Sequence, residues 1–251
     1  MSGEHKQPYR LSDFKVLTFD CYGTLIDWET GILSALQPLI KRTASNLAPD
    51  QILETFARYE LAQEAETPAM IYSQLLAVVH SQIGKEWGVK TTPAEDAQFG
   101  ASVKDWPAFG DSPAALRYLK QYYKLVILSN VDRESFRGSN KRLNVEFDSI
   151  FTAQDIGSYK PSLANFEYML SKMAEAGYQM EYILHTAESL LHDHLPANKI
   201  GIASAWIHRR HAKEGFGATS KPTEMPHYDF RFTSLGEMVD AHKGSLLERR
   251  H

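Results

Sequence analysis

Asp20 is the residue of this chain best placed to do chemistry. It follows the short apolar run Val16-Leu17-Thr18-Phe19 and precedes Cys21-Tyr22-Gly23-Thr24. A run of that length and type fits a strand buried on both faces, as in a parallel sheet. Asp20 then stands at the carboxyl end of the strand, where open α/β sheets bind their ligands. An ionised carboxylate is costly to bury without partners. Positioned and partly desolvated, it can act as a nucleophile. Gly23 permits a tight or positive-φ turn, and Thr24 can donate a hydrogen bond to Asp20. The plainer alternative is an Asp that caps a turn; on this segment alone the two weigh about equally. Three later groups are of chemical type and follow predicted strands. Ser129-Asn130 ends the run Lys124-Leu125-Val126-Ile127-Leu128, a place where Ser also commonly caps a helix. Lys160 precedes Pro161, which fixes a turn, although most lysines are simply solvated. Glu188 and Asp193 are two acids five residues apart after Ile183-Leu184-His185.

The elements that must carry these residues alternate, with one long exception. Residues 27–105 read as helical throughout. Ile32, Leu33, Leu36, Leu39 and Ile40 recur at helical spacing, as do Ile52, Leu53, Phe56, Tyr59 and Leu61, and then Ile71, Leu75, Leu76 and Val79. Pro49-Asp50 and Thr67-Pro68 punctuate the segment, with Asp50 and Thr67 near helix starts. A plain doubly wound fold would have one short helix here, so the segment suggests a separate helical cap. Beyond Asp111 the pattern gives a helix over 113–122, strands over 124–128 and 147–152, a helix over 163–176 and strands over 182–185, 200–207 and 228–232. A closing helix follows over 235–241, and the charged last ten residues read as disordered.

Composition narrows the classes. At 251 residues, 43% hydrophobic and 23% charged, the chain can bury one large α/β core plus a small cap. A net charge of −4 gives no reason to expect nucleic-acid binding, though a few Lys and Arg can still line a pocket for a small anion. The single cysteine, Cys21, cannot form an internal disulfide, which fits a reducing compartment. No run reaches the roughly 18 apolar residues of a membrane helix, and residues 2–10 are polar, without a secretory apolar region. The expectation is a cytoplasmic protein with no membrane partner.

Phe19-Asp20-Cys21-Tyr22-Gly23-Thr24-Leu25 resembles the first motif of the haloacid dehalogenase-like (HAD) hydrolase superfamily, and its Tyr22 is similar to the 2-haloacid dehalogenase type. Phosphatases of the superfamily usually carry a second Asp at that position. Ser129-Asn130, Lys160-Pro161 and Glu188 with Asp193 resemble the second, third and fourth motifs, in order, so the resemblance covers about residues 14–240. It implies a doubly wound, Rossmann-like α/β core (1–26 and 106–251) with an inserted helical cap (27–105). It also implies roles. Asp20 would attack substrate, with Thr24 and Ser129 stabilising charge. Lys160 would neutralise Asp20 and the substrate anion, and Asp193 would orient Lys160 and help to place the hydrolytic water. Tyr22, Asn130, Trp28 and a cap arginine would bind substrate. Arg58 is the candidate for that arginine, with Arg42 competing. A homodimer is an assembly to expect, because related dehalogenases are often dimers.

The chain departs from the dehalogenase pattern at Glu188, where Ser belongs, at Leu190, where Asn belongs, and at Phe166, where Tyr belongs. Three functions follow. The first is hydrolytic dehalogenation of a short, anionic 2-haloacid to a 2-hydroxy acid through an ester of Asp20, with no cofactor. The second is a phosphatase in which Asp20, Glu188, Asp193 and the Tyr22 carbonyl hold Mg²⁺, because that hard ion prefers oxygen ligands. The third is a catalytically silent binding protein on the same fold. Other features weigh less. Cys21 reads as a small buried hydrophobe. His192-Asp193-His194 suggests a metal, but alternate residues point apart on a helix or strand. His208-Arg209-Arg210-His211 reads as a solvated loop.

Overall fold

A computed structural model describes residues 9–248. In chain order, β1 (Val16–Phe19) is followed by α1 (Trp28–Ala35), α2 (Gln37–Ile40), α3 (Pro49–Glu66), α4 (Tyr72–Glu86) and α5 (Pro93–Ala101). Alternation then resumes with α6 (Ser112–Leu119), β2 (Lys124–Ser129), α7 (Arg133–Leu143), β3 (Ser149–Thr152), α8 (Ala153–Ile156) and α9 (Leu163–Glu175). The chain continues through β4 (Ile183–Ala187), α10 (Leu195–Ile200), β5 (Ala203–Ile207), β6 (Phe230–Phe232) and α11 (Leu235–Glu248). The strands form one six-stranded sheet in the order β3-β2-β1-β4-β5-β6, with every pair parallel. β2 and β3 lie on one side of β1 and β4, β5 and β6 on the other, so the winding reverses beside β1. Such a reversal leaves a crevice at the carboxyl ends of the strands.

β1 is central because nothing in it tolerates water. Val16, Leu17, Thr18 and Phe19 are all fully buried. Alternate side chains enter opposite layers, as the pleat requires. Val16 packs with Val126, Leu128, Phe166, Met169 and Met173 on the face covered by α9. Leu17 and Phe19 join the larger core on the other face. Each such side chain contributes about 1.5–3 kcal/mol on full burial. Phe19 stands level with Ile127 of β2 and Thr186 of β4. The next residue, Asp20, donates its N–H to Thr186 O at 3.1 Å, so the sheet register fixes where its carboxylate emerges.

The all-helical segment leaves and rejoins the sheet layer at one place. Ile26 bridges antiparallel to Ala108, and Asp27 N–H donates to Pro107 O at 2.8 Å. Pro49 and Asp50 open α3 as expected, whereas Thr67 closes it, its hydroxyl donating to Gln63 O at 2.9 Å. The apolar stripe of α3 runs through Ile52, Leu53, Phe56 and Ala57 and is extended by buried Glu60, Gln63 and Glu64.

Two expectations need correction besides Thr67, and one helix was not anticipated. α7 carries no legible periodicity because Ser135 and Ser139 share its buried face with Phe136 and Leu143. α11 runs on to Glu248, beyond the helix expected over 235–241, so the tail read as disordered is largely helical; its last three residues lie outside the described part. The strand expected over 200–207 is shorter, because α10 reaches Ile200 before Gly201 turns the chain with φ +85°. Among the described residues, no helix is long and apolar enough to cross a membrane.

Gly100 lets α5 lie against α4. A Cβ there would sit 2.0 Å from the Ser73 carbonyl oxygen. Gly100→Ala is therefore expected to cost about 1–3 kcal/mol through overpacking, measured by urea unfolding; an unchanged midpoint would show that the two helices separate freely.

Candidate active site

The residues singled out by type converge although they are far apart in the chain. Gly23 has φ +90°, and the turn it allows brings Thr24 back over Asp20. Thr24 Oγ1 donates to Asp20 Oδ2 at 2.8 Å and accepts the Glu188 N–H at 2.9 Å. Lys160, 1% exposed, donates from Nζ to Asp20 Oδ1 at 2.9 Å, to Asp193 Oδ1 at 2.6 Å and to Leu128 O at 3.0 Å. Asn130 holds the lysine's backbone on both sides. Its Oδ1 accepts the Lys160 N–H at 2.7 Å, and its Nδ2 donates to Lys160 O at 3.0 Å. Asp193 comes from a single wide helical turn, Leu190–His194, after β4.

These groups face a small cavity of about 30 Å³, walled also by Tyr22, Trp28, Ser129, Ser189 and His192, which has room for about two waters. Tyr22 contributes its ring, but its hydroxyl is committed to Ser139 Oγ of α7 at 2.9 Å. Trp28 stands edge-on to Phe56, with ring centroids 6.1 Å apart. The Ser129 hydroxyl and Asp193 Oδ2 are buried without a hydrogen-bond partner. Both remain open to a bound molecule.

Two expected residues lie elsewhere. Arg58 sits on the outer side of α3 and pairs with Glu86 at 2.6 Å. With 3.6 residues per turn, a residue two before Glu60 points to nearly the opposite side. Arg42 is likewise exposed and paired with Glu95. Among the described residues, no arginine lines the cavity. The magnesium set does not converge either. Asp20 and Asp193 meet at Lys160, whereas Glu188 Oε2 accepts from Thr219 Oγ1 at 2.8 Å and lines a neighbouring cavity with Arg210. Among the described residues, no group of three His, Cys, Asp or Glu is arranged to hold a metal ion. Cys21 is buried, as expected. His192 and His194 diverge, the second reaching Ser204 Oγ and Ala187 O.

Sequence reading missed four residues. His185, fully buried in β4, donates from Nε2 to Asp193 Oδ1 at 2.9 Å and shares a hydrogen bond with Thr18 Oγ1. Its signal was a polar residue inside an apolar strand. Glu60 and Glu64, both 5% exposed, reach the cavity from α3. Tyr72 donates to Glu60 Oε1, and Asn130 Nδ2 to Glu64 Oε1 at 3.0 Å. Their signal was the continuation of the buried stripe by acids. His192 reaches the same cavity with its Nε2 unpartnered.

Known proteins are similar to this chain at the level of family and fold. Residues 14–181 match the haloacid dehalogenase-like hydrolase family. No curated protein matches the sequence. Among solved structures, a defluorinating L-2-haloacid dehalogenase superposes with a TM-score of 0.75 at 18% identity, covering 94% of this chain and 99% of that one. The L-2-haloacid dehalogenase of Xanthobacter autotrophicus gives 0.75 at 16% identity, covering 92% and 99%. A magnesium-bound HAD hydrolase of Bacillus subtilis gives 0.70 at 18% identity, covering 94% and 100%.

Burial dominates the electrostatics of the cavity. It pushes Asp20 above the ordinary carboxylate range; Lys160 opposes the rise and Asp193 adds to it. Burial also works against Asp193, but Lys160 and His185 outweigh it and hold that carboxyl below its usual value. Lys160 stays charged because its two acids overcome its own desolvation. Burial pushes Glu60 up to about 7, despite the hydrogen bond from Tyr72. A raised acid stabilises the fold while protonated, and that contribution is lost as pH rises through the folded value. Wild-type protein is therefore expected to lose stability relative to Glu60→Gln as pH rises from about 4.5 to about 7. Above that the difference should level off. Urea unfolding of both proteins across the range checks it, and parallel curves would refute it.

Proposed function

The chain belongs to the haloacid dehalogenase-like hydrolases, and within that family we propose that it hydrolyses short 2-haloacids through an ester of Asp20. The observation that carries this reading is the clamp on the buried Asp20 carboxylate, with Lys160 Nζ at 2.9 Å and Thr24 Oγ1 at 2.8 Å. Asp20 attacks C2 of the substrate. The carbon–halogen bond breaks, the halide leaves with the bonding electrons, and C2 inverts. Water then attacks the carboxyl carbon of the Asp20 ester, which releases the 2-hydroxy acid, a proton and the regenerated carboxylate. Asp193 Oδ2, buried and unpartnered, can accept a hydrogen bond from that water. Rate acceleration comes from positioning and from fixed charges in a dry site. Lys160 offsets the repulsion between Asp20 and the substrate's carboxylate.

Two details favour carbon–halogen cleavage over phosphoryl transfer. The Tyr22 hydroxyl is held by Ser139, and a phenol that burial raises well above its usual range is a poor general acid. Glu188, the acid that spoke for magnesium, is drawn to Thr219. The proposed reaction needs no cofactor. The helical segment 27–105 serves in it as the cap, with α3 closing the mouth of the site.

Halide and phosphate release should be followed together over a panel of haloacids and phosphomonoesters. Halide release from 2-chloropropionate should be insensitive to EDTA and should fall on the order of 10³-fold or more in Asp20→Asn. In ¹⁸O-water, a single turnover should place the label in Asp20 and leave the first hydroxy acid unlabelled. Label in that first product would exclude the ester, and EDTA-sensitive phosphate release would replace this reading with phosphoryl transfer.

A further inference from the structure

The cavity lacks the arginine that a carboxylate substrate calls for, and its outer wall carries two acids instead. Glu64 is the better placed of the two. Its Oε1 accepts from Asn130 at 3.0 Å, while its Oε2 is buried without a partner. His192 Nε2 lies 3.7 Å from that oxygen and is itself unpartnered. The distance is too long for a hydrogen bond between them. Two buried polar atoms are therefore left open side by side in the wall that faces Asp20. Such atoms are costly unless something completes them.

The neighbouring groups constrain their protons. Ser189 Oγ accepts the His192 backbone N–H at 3.0 Å and lies 3.1 Å from His192 Nδ1. With the serine's proton assigned to Nδ1, Nε2 carries the imidazole hydrogen as a donor. For Glu64, an Oε1 that accepts from Asn130 is compatible with a neutral acid, in which Oε2 is the hydroxyl. Glu60 faces Glu64 from the same helix, Tyr72 from α4, Asn130 from the end of β2, Tyr159 and Lys160 from the turn before α9, and His192 from the turn after β4. Asp20 and Asp193 stand across the same cavity. Burial and then Glu60 raise the Glu64 carboxyl well above its ordinary range, against Asn130 and Lys160.

We propose that Glu64, as a protonated acid, and His192, through its Nε2–H, are the specificity-determining pair that grips the substrate's carboxylate in place of an arginine. Each donates one hydrogen bond to the anion, and the Ser129 hydroxyl is free to add a third. The assignment takes its substrate class from the Asp20 reaction but concerns binding alone. It carries a pH sense. The donor at Glu64 exists only below the pKa of that carboxyl, and above it two acids face the anion and repel it.

The test uses propionate, an unreactive carboxylate, titrated calorimetrically into the full chain and its variants. Wild type should bind it about tenfold or more weaker once the pH is raised far enough to ionise Glu64. Glu64→Ala should weaken binding about tenfold or more at the lower pH, and His192→Ala should weaken it too. Glu64→Gln should stay within about threefold of wild type and lose less affinity at high pH, because an amide still donates where the acid did. Thermal unfolding shows whether each variant is folded, and the near-isosteric Gln change keeps the test open should Glu64→Ala fail to fold. The pair is ruled out by wild-type-like binding in Glu64→Ala, by Glu64→Gln as weak as Glu64→Ala, or by a wild type that does not bind propionate. Propionate binding of the expected kind without halide release from any haloacid would leave the clamp standing and overturn the Asp20 reaction instead. Halide release with an unchanged KM in Glu64→Ala would do the reverse.

Discussion

The ammonium of Lys160 is what the rest of the site depends on. Three oxygens from three neighbouring parts of the sheet converge on it: Asp20 after β1, Leu128 in β2 and Asp193 after β4. Two carboxylates so close would repel and neutralise each other without a cation between them. A buried ion pair is not in itself a large source of stability, but removing one partner leaves an uncompensated charge and typically costs about 3–5 kcal/mol. The lysine thus couples the chemistry to the integrity of the fold. Asn130 fixes the lysine's backbone on both sides, and His185 satisfies the same Asp193 oxygen from beneath.

The inserted helices complete the site from above. α3 turns Glu60 and Glu64 towards the cavity, and the Asn130–Glu64 hydrogen bond ties that helix to the end of β2. Apolar packing is continuous across this seam, one cluster holding Phe56, Leu75, Leu76 and Phe99 together with Phe19, Tyr22 and Val131. Ion pairs join the two parts as well, Arg210 reaching Glu29 and Asp50 at 2.6 and 2.9 Å.

The departures from the dehalogenase pattern have structural consequences that can be traced. Phe166 is buried beneath the site with its ring edge-on to His185, 5.1 Å between centroids. It packs where a tyrosine would need a partner for its hydroxyl. Leu190 is buried too. Glu188 keeps its backbone in the site, its N–H donating to Thr24, while its side chain leaves for Thr219. A changed side chain after a strand can thus preserve the backbone's contribution and alter only what the pocket wall offers.

By itself the sequence determined the sheet and the inner half of the site. Strands buried on both faces need uninterrupted apolar runs, and a chemical residue directly after such a run has nowhere to go but the carboxyl edge. Asp20 and Ser129 were legible for that reason; Thr24, Lys160 and Asp193 lie further from their strands and were read from the motif resemblance, and the unbroken helical periodicity marked the stretch between Asp27 and Asp105. Tertiary structure alone decided the outer half. Whether Arg58 or Glu60 faces the cavity is a matter of helical phase relative to a sheet distant in sequence, and local spacing does not encode that phase. Buried acids on a helix look like a solvated face until the layer that buries them is known. α7 was invisible because serines share its inward face with Phe136 and Leu143, and one of them, Ser139, holds the Tyr22 hydroxyl away from the chemistry. The opening motif kept its Asp20. What changed is the meaning of its surroundings, from an expected cap arginine to a pair of acids whose protonation burial controls.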